Sequence, residues 1–167
     1  MDDCKIYQPC SQGDKRLMAD IISPELRSAN MAAIHSKNTK PEIYLRKLLF
    51  AEGYRYRINE KSIPGHPDIF LRKYNTAIFI HGCFWHRHEN CKFAYFPKSN
   101  IEFWKNKFNK NIERDIFVKS ELGKIHIKCL IIWECTIKKM LHNDILQHEI
   151  ITEIKFFLNN SSMLLEL

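Results

Sequence analysis

"TAIFIHGCFWHRHENC", Thr76–Cys91, joins two kinds of sequence. It opens as a short apolar run, Thr76–Ile80, of the kind a buried strand carries. The stretch that follows, His81–Cys91, packs three histidines, two cysteines, a Phe and a Trp into eleven residues. A zinc knuckle accounts for the cysteines but leaves histidines over. A hydrophobic core accounts for Phe84 and Trp85 but not for the metal-ligand types around them. The strand and its chemically dense exit loop therefore set the fold question and the function question together.

Upstream, "DIFL" (68–71) is a second buried-strand pattern, joined to Thr76–Ile80 by a polar turn at Lys73-Tyr74-Asn75, and "YRYRI" (54–58) alternates like a half-buried strand. Before these, Thr39 with Glu42 fits a capping box with Pro41 in the first turn, Leu45, Leu48 and Leu49 form an apolar face, and Gly53 ends the helix. Downstream, Ser99 with Glu102 predicts a second capped helix. Its apolar face is Ile101, Trp104, Phe108, Ile112 and Ile116, and Gly123 closes it. "IHIKCLIIW" (125–133) is apolar on both faces and reads as a central strand. Asn143 or Asp144 caps a last helix that turns Leu146, Ile150, Ile154 and Phe157 inward. The order helix, three strands, helix, strand, helix predicts an α/β (α+β) fold, a mixed central sheet flanked by helices in three layers.

The chain has 167 residues, a formal net charge of +7 and an isoelectric point of about 9.1. Such a balance favours a polyanionic partner, nucleic acid first. Residues 1–17 are polar and aperiodic and read as a flexible N-terminal extension. Met18 opens a single domain over 18–167. "MDDCKIYQPC" is no signal peptide, and no run reaches the ~18 apolar residues of a membrane span. The chain reads as soluble and cytoplasmic, without a membrane partner, and its six cysteines as metal ligands or buried thiols rather than disulfides.

In "PGHPDIF", Asp68 follows a Pro-Gly turn and opens a strand, a rigid place from which a carboxylate can hold magnesium. The next strand ends at His81, so adjacent strands bring Asp68 and His81 close. A metal-binding carboxylate beside a cation or proton donor is what phosphodiester hydrolysis requires. Glu42 is a third candidate and also fits its capping box. Cys83, His88 and Cys91 supply three zinc-type ligands on one loop. Cys135, just past a strand end, is a better fourth than the mid-strand Cys129. His86 is left either to replace His88 as ligand or to act as a general base. A zinc deaminase is excluded, because H-x-E and C-x-x-C are missing.

"IPGHPDIF", "FIHGCFWHRH", "EFWKNKFNKNIERD" and "LIIWEC", in this order, resemble the very short patch repair (Vsr) mismatch endonucleases, with a likeness running from about Met18 to Cys135. The resemblance implies a PD-(D/E)xK restriction-endonuclease-like core with a structural zinc loop. The implied activity is magnesium-dependent nicking of one strand 5′ of the T in a T·G mismatch. By this resemblance Asp68 and the backbone carbonyl of Ile80 hold Mg2+, His86 is the general base, and His81 replaces the usual nuclease lysine. Glu42 supports the hydrated metal, and Cys83, His88, Cys91 and Cys135 bind Zn2+. Phe84, Trp85 and Trp104 wedge into DNA, Met31 enters from the other groove, Asn111 touches the mismatch, and Lys107 meets phosphate. Ile80 stands where some relatives have Thr, and His88 and Cys91 are separated by two residues where some have one. The expected partner is double-stranded DNA with a T·G mismatch, bound by a monomer, with mismatch-repair proteins as candidate partners. The alternatives are a non-catalytic zinc-stabilised DNA-binding module and a related nuclease with a different DNA substrate.

Overall fold

A computed structural model describes residues 37–167, with Ser23 and Leu26; the expected 1–17 extension lies outside these. The elements run α1 (Lys40–Ala51), β1 (Arg57–Ile58), β2 (Ile69–Leu71), a 3-10 turn (Arg72–Tyr74), β3 (Thr76–His81), α2 (Ile101–Lys124), β4 (Lys128–Trp133), α3 (Glu134–Met140), α4 (Asp144–Asn159) and β5 (Leu164–Glu166). The five strands form one mixed sheet in the order β1-β2-β3-β4-β5. β1–β2 and β2–β3 pair antiparallel, β3–β4 and β4–β5 parallel. No described helix is long and apolar enough to cross a membrane.

Strand alternation divides the core between the two faces of the sheet. Ile69, Leu71, Ile78, Leu130 and Ile132 point to one side, where they meet Leu45 and Leu49 of α1, Ile137 and Met140 of α3, and Ile150, Ile154 and Phe157 of α4. Phe70, Ala77, Cys129, Ile131 and Trp133 point to the other, where Leu122 of α2 packs on them. All six residues of β4 are buried, as the apolar "KCLIIW" run requires of a strand covered on both faces. Strands β2 and β3 fall where expected. "YRYRI" is strand only at Arg57–Ile58.

The helix ends follow local chemistry with some displacement. Thr39 caps α1, accepting from the Glu42 N–H. Glu42 in return accepts from the Thr39 hydroxyl (2.8 Å) and the Asn38 N–H (2.9 Å), so the reciprocal bond of the box lands one residue early. At the other end Gly53 takes φ +86°, and Tyr54 N–H bonds back to Leu49 O, the left-handed closure that favours glycine. Three sequence expectations need correction. The N-cap of α2 is Asn100, with left-handed backbone and no side-chain cap bond, rather than Ser99. Gly123 lies inside that helix, and the left-handed residue that closes it is His126 (φ 55°), with Ile127 N–H bonding Leu122 O. Helix α3 and strand β5 were not foreseen, because seven and three residues carry too little periodicity to register.

The largest correction concerns α2. Only Phe108 and Leu122 are buried on it, while Ile101, Ile116 and Phe117 are 55%, 62% and 62% exposed. The inward stripe is Trp104, Phe108, Asn111, Asp115, Val118 and Leu122, all buried or half-buried and spaced alternately by four and three. Following apolar residues alone led the reading onto Ile112 and Ile116. The stripe that faces the sheet passes instead through two polar residues.

Lys128 ties β4 to the end of α4. Its buried ammonium donates to the carbonyls of Phe157 (2.5 Å), Leu158 (3.2 Å) and Asn160 (2.9 Å) at the C-terminal end of α4, where helix carbonyls lack intrahelical donors. Lys128→Met keeps the stem and removes these donors. We expect it to lower unfolding free energy by about 1–3 kcal/mol, read as a lower urea midpoint at unchanged slope.

Candidate active site and metal centre

The site lies along one edge of the sheet. β3 and β4 run parallel and end together, with His81 directly opposite Trp133. β2 runs the other way, so its N-terminal neighbour Asp68 arrives at the same edge. The turn before it is built by Pro64 and Gly65: Gly65 has φ +77° and His66 N–H bonds Ile63 O at 3.0 Å, the type II pattern. A Cβ on Gly65 would stand 2.6 Å from Val118 of α2, so glycine also lets this turn seat against that helix.

Asp68 Oδ2 accepts from the Ile80 N–H at 2.8 Å, locking the carboxylate between β2 and β3. Burial raises its pKa to about 6 against the lowering effect of that bond, and nearby Glu42 adds to the rise. A half-buried carboxylate held this way is a fitting ligand for a hard cation, which would offset the burial cost. Glu42 is itself buried and saturated by Thr39, Asn38 and Arg46, whose Nη2 sits 2.9 Å away. Arg46 Nη2 also donates to the Asp68 backbone carbonyl at 3.3 Å. Glu42 thus reaches Asp68 through Arg46.

His86 follows β3 in the exit loop. Its Nδ1 lies 2.5 Å from Asp115 Oδ2 of α2, and its ring stacks on His81 with centroids 3.8 Å apart and planes 12° from parallel. Burial pushes Asp115 up, but the hydrogen bond and charge of His86, with His81 and Arg114, outweigh it and hold the carboxyl below its usual range. An ionised Asp115 fixes the hydrogen on His86 Nδ1 and leaves Nε2 as the free lone pair. Burial, reinforced by His86, drops His81 to about 3, so at neutral pH His81 offers a hydrogen bond and no charge. His81, His86 and Asp115 have ligand atoms within 4.8 Å of one another. Stacked imidazoles, however, aim their in-plane lone pairs side by side, and a shared ion would lie out of both planes; the trio suits proton transfer better than metal binding.

The second cluster is Cys83, His88, Cys91 and Cys135, whose ligand atoms also lie within 4.8 Å. His88 Nδ1 is 3.3 Å from Cys135 Sγ and 3.7 Å from Cys83 Sγ. A tetrahedral zinc with Zn–S and Zn–N bonds of about 2.3 and 2.0 Å separates such ligands by roughly 3.5 Å, so the donor set and its spacing fit a thiolate-binding ion. Without one, burial pushes the Cys83 thiol up to about 12. The His88 ring is stacked on Trp133 at 4.0 Å. Cys129 is buried in the core beneath α2 and is not among the clustered ligands.

Phe84 sits at the centre of an aromatic cluster, 5.1 Å from Trp85, 5.3 Å from Trp104 and 5.2 Å from Phe108. Tyr95 packs on Phe84, Phe96 on Phe108 and Phe103 on Trp104, and all three remain exposed. Asn111 Nδ2 donates to the Trp85 carbonyl at 2.9 Å, holding the loop to α2. Lys107 is exposed on the same helix. Met31 lies outside the described residues. Asp115 and Arg46 were missed by the sequence reading. For Asp115 a signal existed, since it continues the Trp104–Phe108–Asn111 spacing.

Comparison with known proteins places this chain among DNA endonucleases. Residues 19–92 match the family described as DNA mismatch endonuclease Vsr. The type II nicking enzyme V.NmeAIP of Neisseria meningitidis is 52% identical over 121 residues, 72% of this chain and 86% of that protein. The type II nicking enzyme V.XorIIP of Xanthomonas oryzae is 37% identical over 123 residues, 74% and 90% of the two chains. DNA mismatch endonuclease Vsr of Escherichia coli is 40% identical over 121 residues, 72% and 77%. The chain belongs to the Vsr family of endonucleases.

The raised pKa of Asp68 has a consequence for stability. A folded value near 6 against an ordinary 3.8 means that the folded chain binds this proton more tightly than the unfolded one. The cost of burying the carboxylate is absent below the ordinary value and grows as pH rises through the window from 3.8 to about 6. Asp68→Asn keeps an acceptor for Ile80 and removes the charge. In magnesium-free buffer it should match wild type near pH 4 and exceed it at pH 7 by on the order of 3 kcal/mol, measured by urea unfolding at both pH values. A pH-independent difference would show that burial of this charge is not the cause.

Proposed function

We propose that this protein nicks one strand of double-stranded DNA 5′ of the T in a T·G mismatch, by magnesium-dependent phosphodiester hydrolysis on a PD-(D/E)xK-like core. The observation that carries the reading is the convergence of Asp68, His81 and the His86–Asp115 pair on one sheet edge, beside a half-buried aromatic cluster shared by the exit loop and the basic helix α2. A DNA-binding module without catalysis would have no use for a half-buried imidazole oriented by a carboxylate.

Asp68 and the Ile80 carbonyl would hold magnesium, which supplies charge neutralisation at the scissile phosphate. The chain's own residues handle the proton. Asp115 orients His86 and stabilises its imidazolium, so Nε2 takes a proton from the attacking water. Neutral His81 donates a hydrogen bond towards a phosphate oxygen, and its stacking on His86 disfavours charge on both rings at once. Arg46, held by Glu42, fixes the backbone of Asp68. Zinc on Cys83, His88, Cys91 and Cys135 would fix the exit loop, which has little core of its own, with catalytic His86 on one side and the aromatics on the other.

The aromatics carry the selectivity. Wedging Phe84, Trp85 and Trp104 between base pairs costs a few kcal/mol per unstacked step. A wobble pair is already weakened, so the wedge costs less there, and each 1.4 kcal/mol of difference is about tenfold in affinity. Lys105, Lys107, Lys110 and Arg114, exposed along α2, bind phosphate irrespective of sequence.

Two measurements test this reading. Nicking of a duplex panel carrying each mismatch should favour T·G. Asp68→Asn should reduce its rate by orders of magnitude with DNA binding retained. Trp85→Ala should erode the preference for mismatched over matched duplex, whereas Lys107→Ala should weaken both alike. Equal nicking across the panel would favour a nuclease of different substrate. Metal analysis should find one zinc per chain, lost in Cys135→Ser and retained in Cys129→Ser; the reverse would move the fourth ligand.

A further inference from the structure

Beside the His81–His86–Asp115 trio opens a cleft of about 580 Å³, and its far wall is the C-terminal strand, through Glu166 and Leu167. Strand β5 lies beyond the motifs that carry the family resemblance, so its contribution to this cleft is visible only in the structure. Glu166 Oε1 accepts from Trp133 Nε1 at 3.1 Å, and Oε2 lies 3.7 Å from the ammonium of Lys119 on α2. Lys119 lines the same cleft, one helical turn beyond Asp115. It is the one lysine among the described residues of a lining that also holds Arg87, and the carboxylate it faces is an anion set where a phosphodiester serving this site would need a cation.

We propose that Lys119 is a phosphate contact of the catalytic cleft and that Glu166 holds it in the free protein, so that bound DNA must draw Lys119 away from Glu166. This rests on the nuclease reading above. Glu166 then sets the cleft's affinity for DNA and is not a catalytic residue. It lowers the cleft's affinity for any backbone that arrives, and a duplex is retained only when the aromatic cluster adds its own contribution. The Lys119–Glu166 pair is loose and partly exposed, with side chains 34% and 40% accessible. Exposed pairs of this kind contribute little and exchange partners readily, as a displaceable latch requires. Glu166 also bonds Trp133, the residue on which His88 stacks, so its carboxylate is placed by the sheet and does not swing freely.

The experiment uses the full chain with its metal, in magnesium-free buffer so that no DNA is cut, and reads affinity for a T·G duplex and its matched counterpart by fluorescence anisotropy across a salt series. Glu166→Gln keeps an amide oxygen for Trp133 Nε1 and removes only the charge. It should tighten binding of both duplexes by about three- to tenfold at low salt and leave the ratio between them unchanged. Lys119→Met should weaken both and reduce the slope of log affinity against log salt by about 0.9, one phosphate contact. In the Lys119→Met background, Glu166→Gln should yield less than half its gain in the wild-type background. An undiminished gain there would mean that Glu166 merely repels DNA and holds nothing, overturning the latch. No gain in either background, or an unchanged slope in Lys119→Met, overturns it as well. Should Glu166→Gln fail to fold, the Lys119→Met slope alone decides whether Lys119 meets phosphate. Failure of the wild-type chain to bind any duplex would instead sink the nuclease reading itself.

Discussion

Parallel pairing of β3 with β4 puts His81 and Trp133 side by side at the carboxyl ends of two buried strands, and the chemistry of the molecule hangs from those two positions. A parallel pair cannot be closed by a tight turn. The chain must leave the sheet after His81 and return at Lys128, and the intervening residues have to cover one face of the sheet on the way. That excursion supplies both the exit loop with its cysteines and histidines and the long helix α2 that packs beneath it. His86 stacks on His81, His88 stacks on Trp133, and the two rings divide the loop between the side of the His86–Asp115 pair and the side of the cysteine–histidine cluster.

The loop between β3 and α2 is poor in aliphatic residues. Its order comes from three kinds of contact: thiols and an imidazole gathered around one point, hydrogen bonds to α2 through Asn111 and Asp115, and edge-to-face packing of Phe84 against Phe108 and the tryptophans. Each is short-ranged, so the loop holds its shape only when α2 presents the right stripe of side chains. Polar residues on that stripe would be a liability in an ordinary helix–sheet contact. Here each has a partner, and the partner is in the loop.

Charge inside the domain is handled locally. Glu42 and Arg46 neutralise each other within one turn of α1, Lys128 spends its ammonium on helix carbonyls, and Asp115 spends its carboxylate on His86. Asp68 is the exception: it is half-buried, among the described residues its carboxylate accepts one hydrogen bond, from Ile80, and burial raises its pKa to about 6. A carboxylate in that condition is one whose burial cost a cation would offset.

Much of this was written in the sequence. Apolar runs at 69–71, 77–80 and 129–133 specify buried strands because a strand covered on both faces is a near-continuous apolar run. Thr39, Gly53 and Asn143 mark helix ends because caps and left-handed closures are decided by the residue itself. The metal-type residues of 81–91 announce themselves by composition. What only the tertiary structure decided is which partners these residues keep. Asp115 meets His86, and Glu166 meets Lys119. Each of these pairs is far apart in the chain or lies on different elements, and no periodicity encodes it. The inward stripe of α2 stayed hidden for the same reason. Hydrophobicity names the buried side of a helix only where the surface it meets is apolar, and α2 meets a loop that requires an amide and a carboxylate.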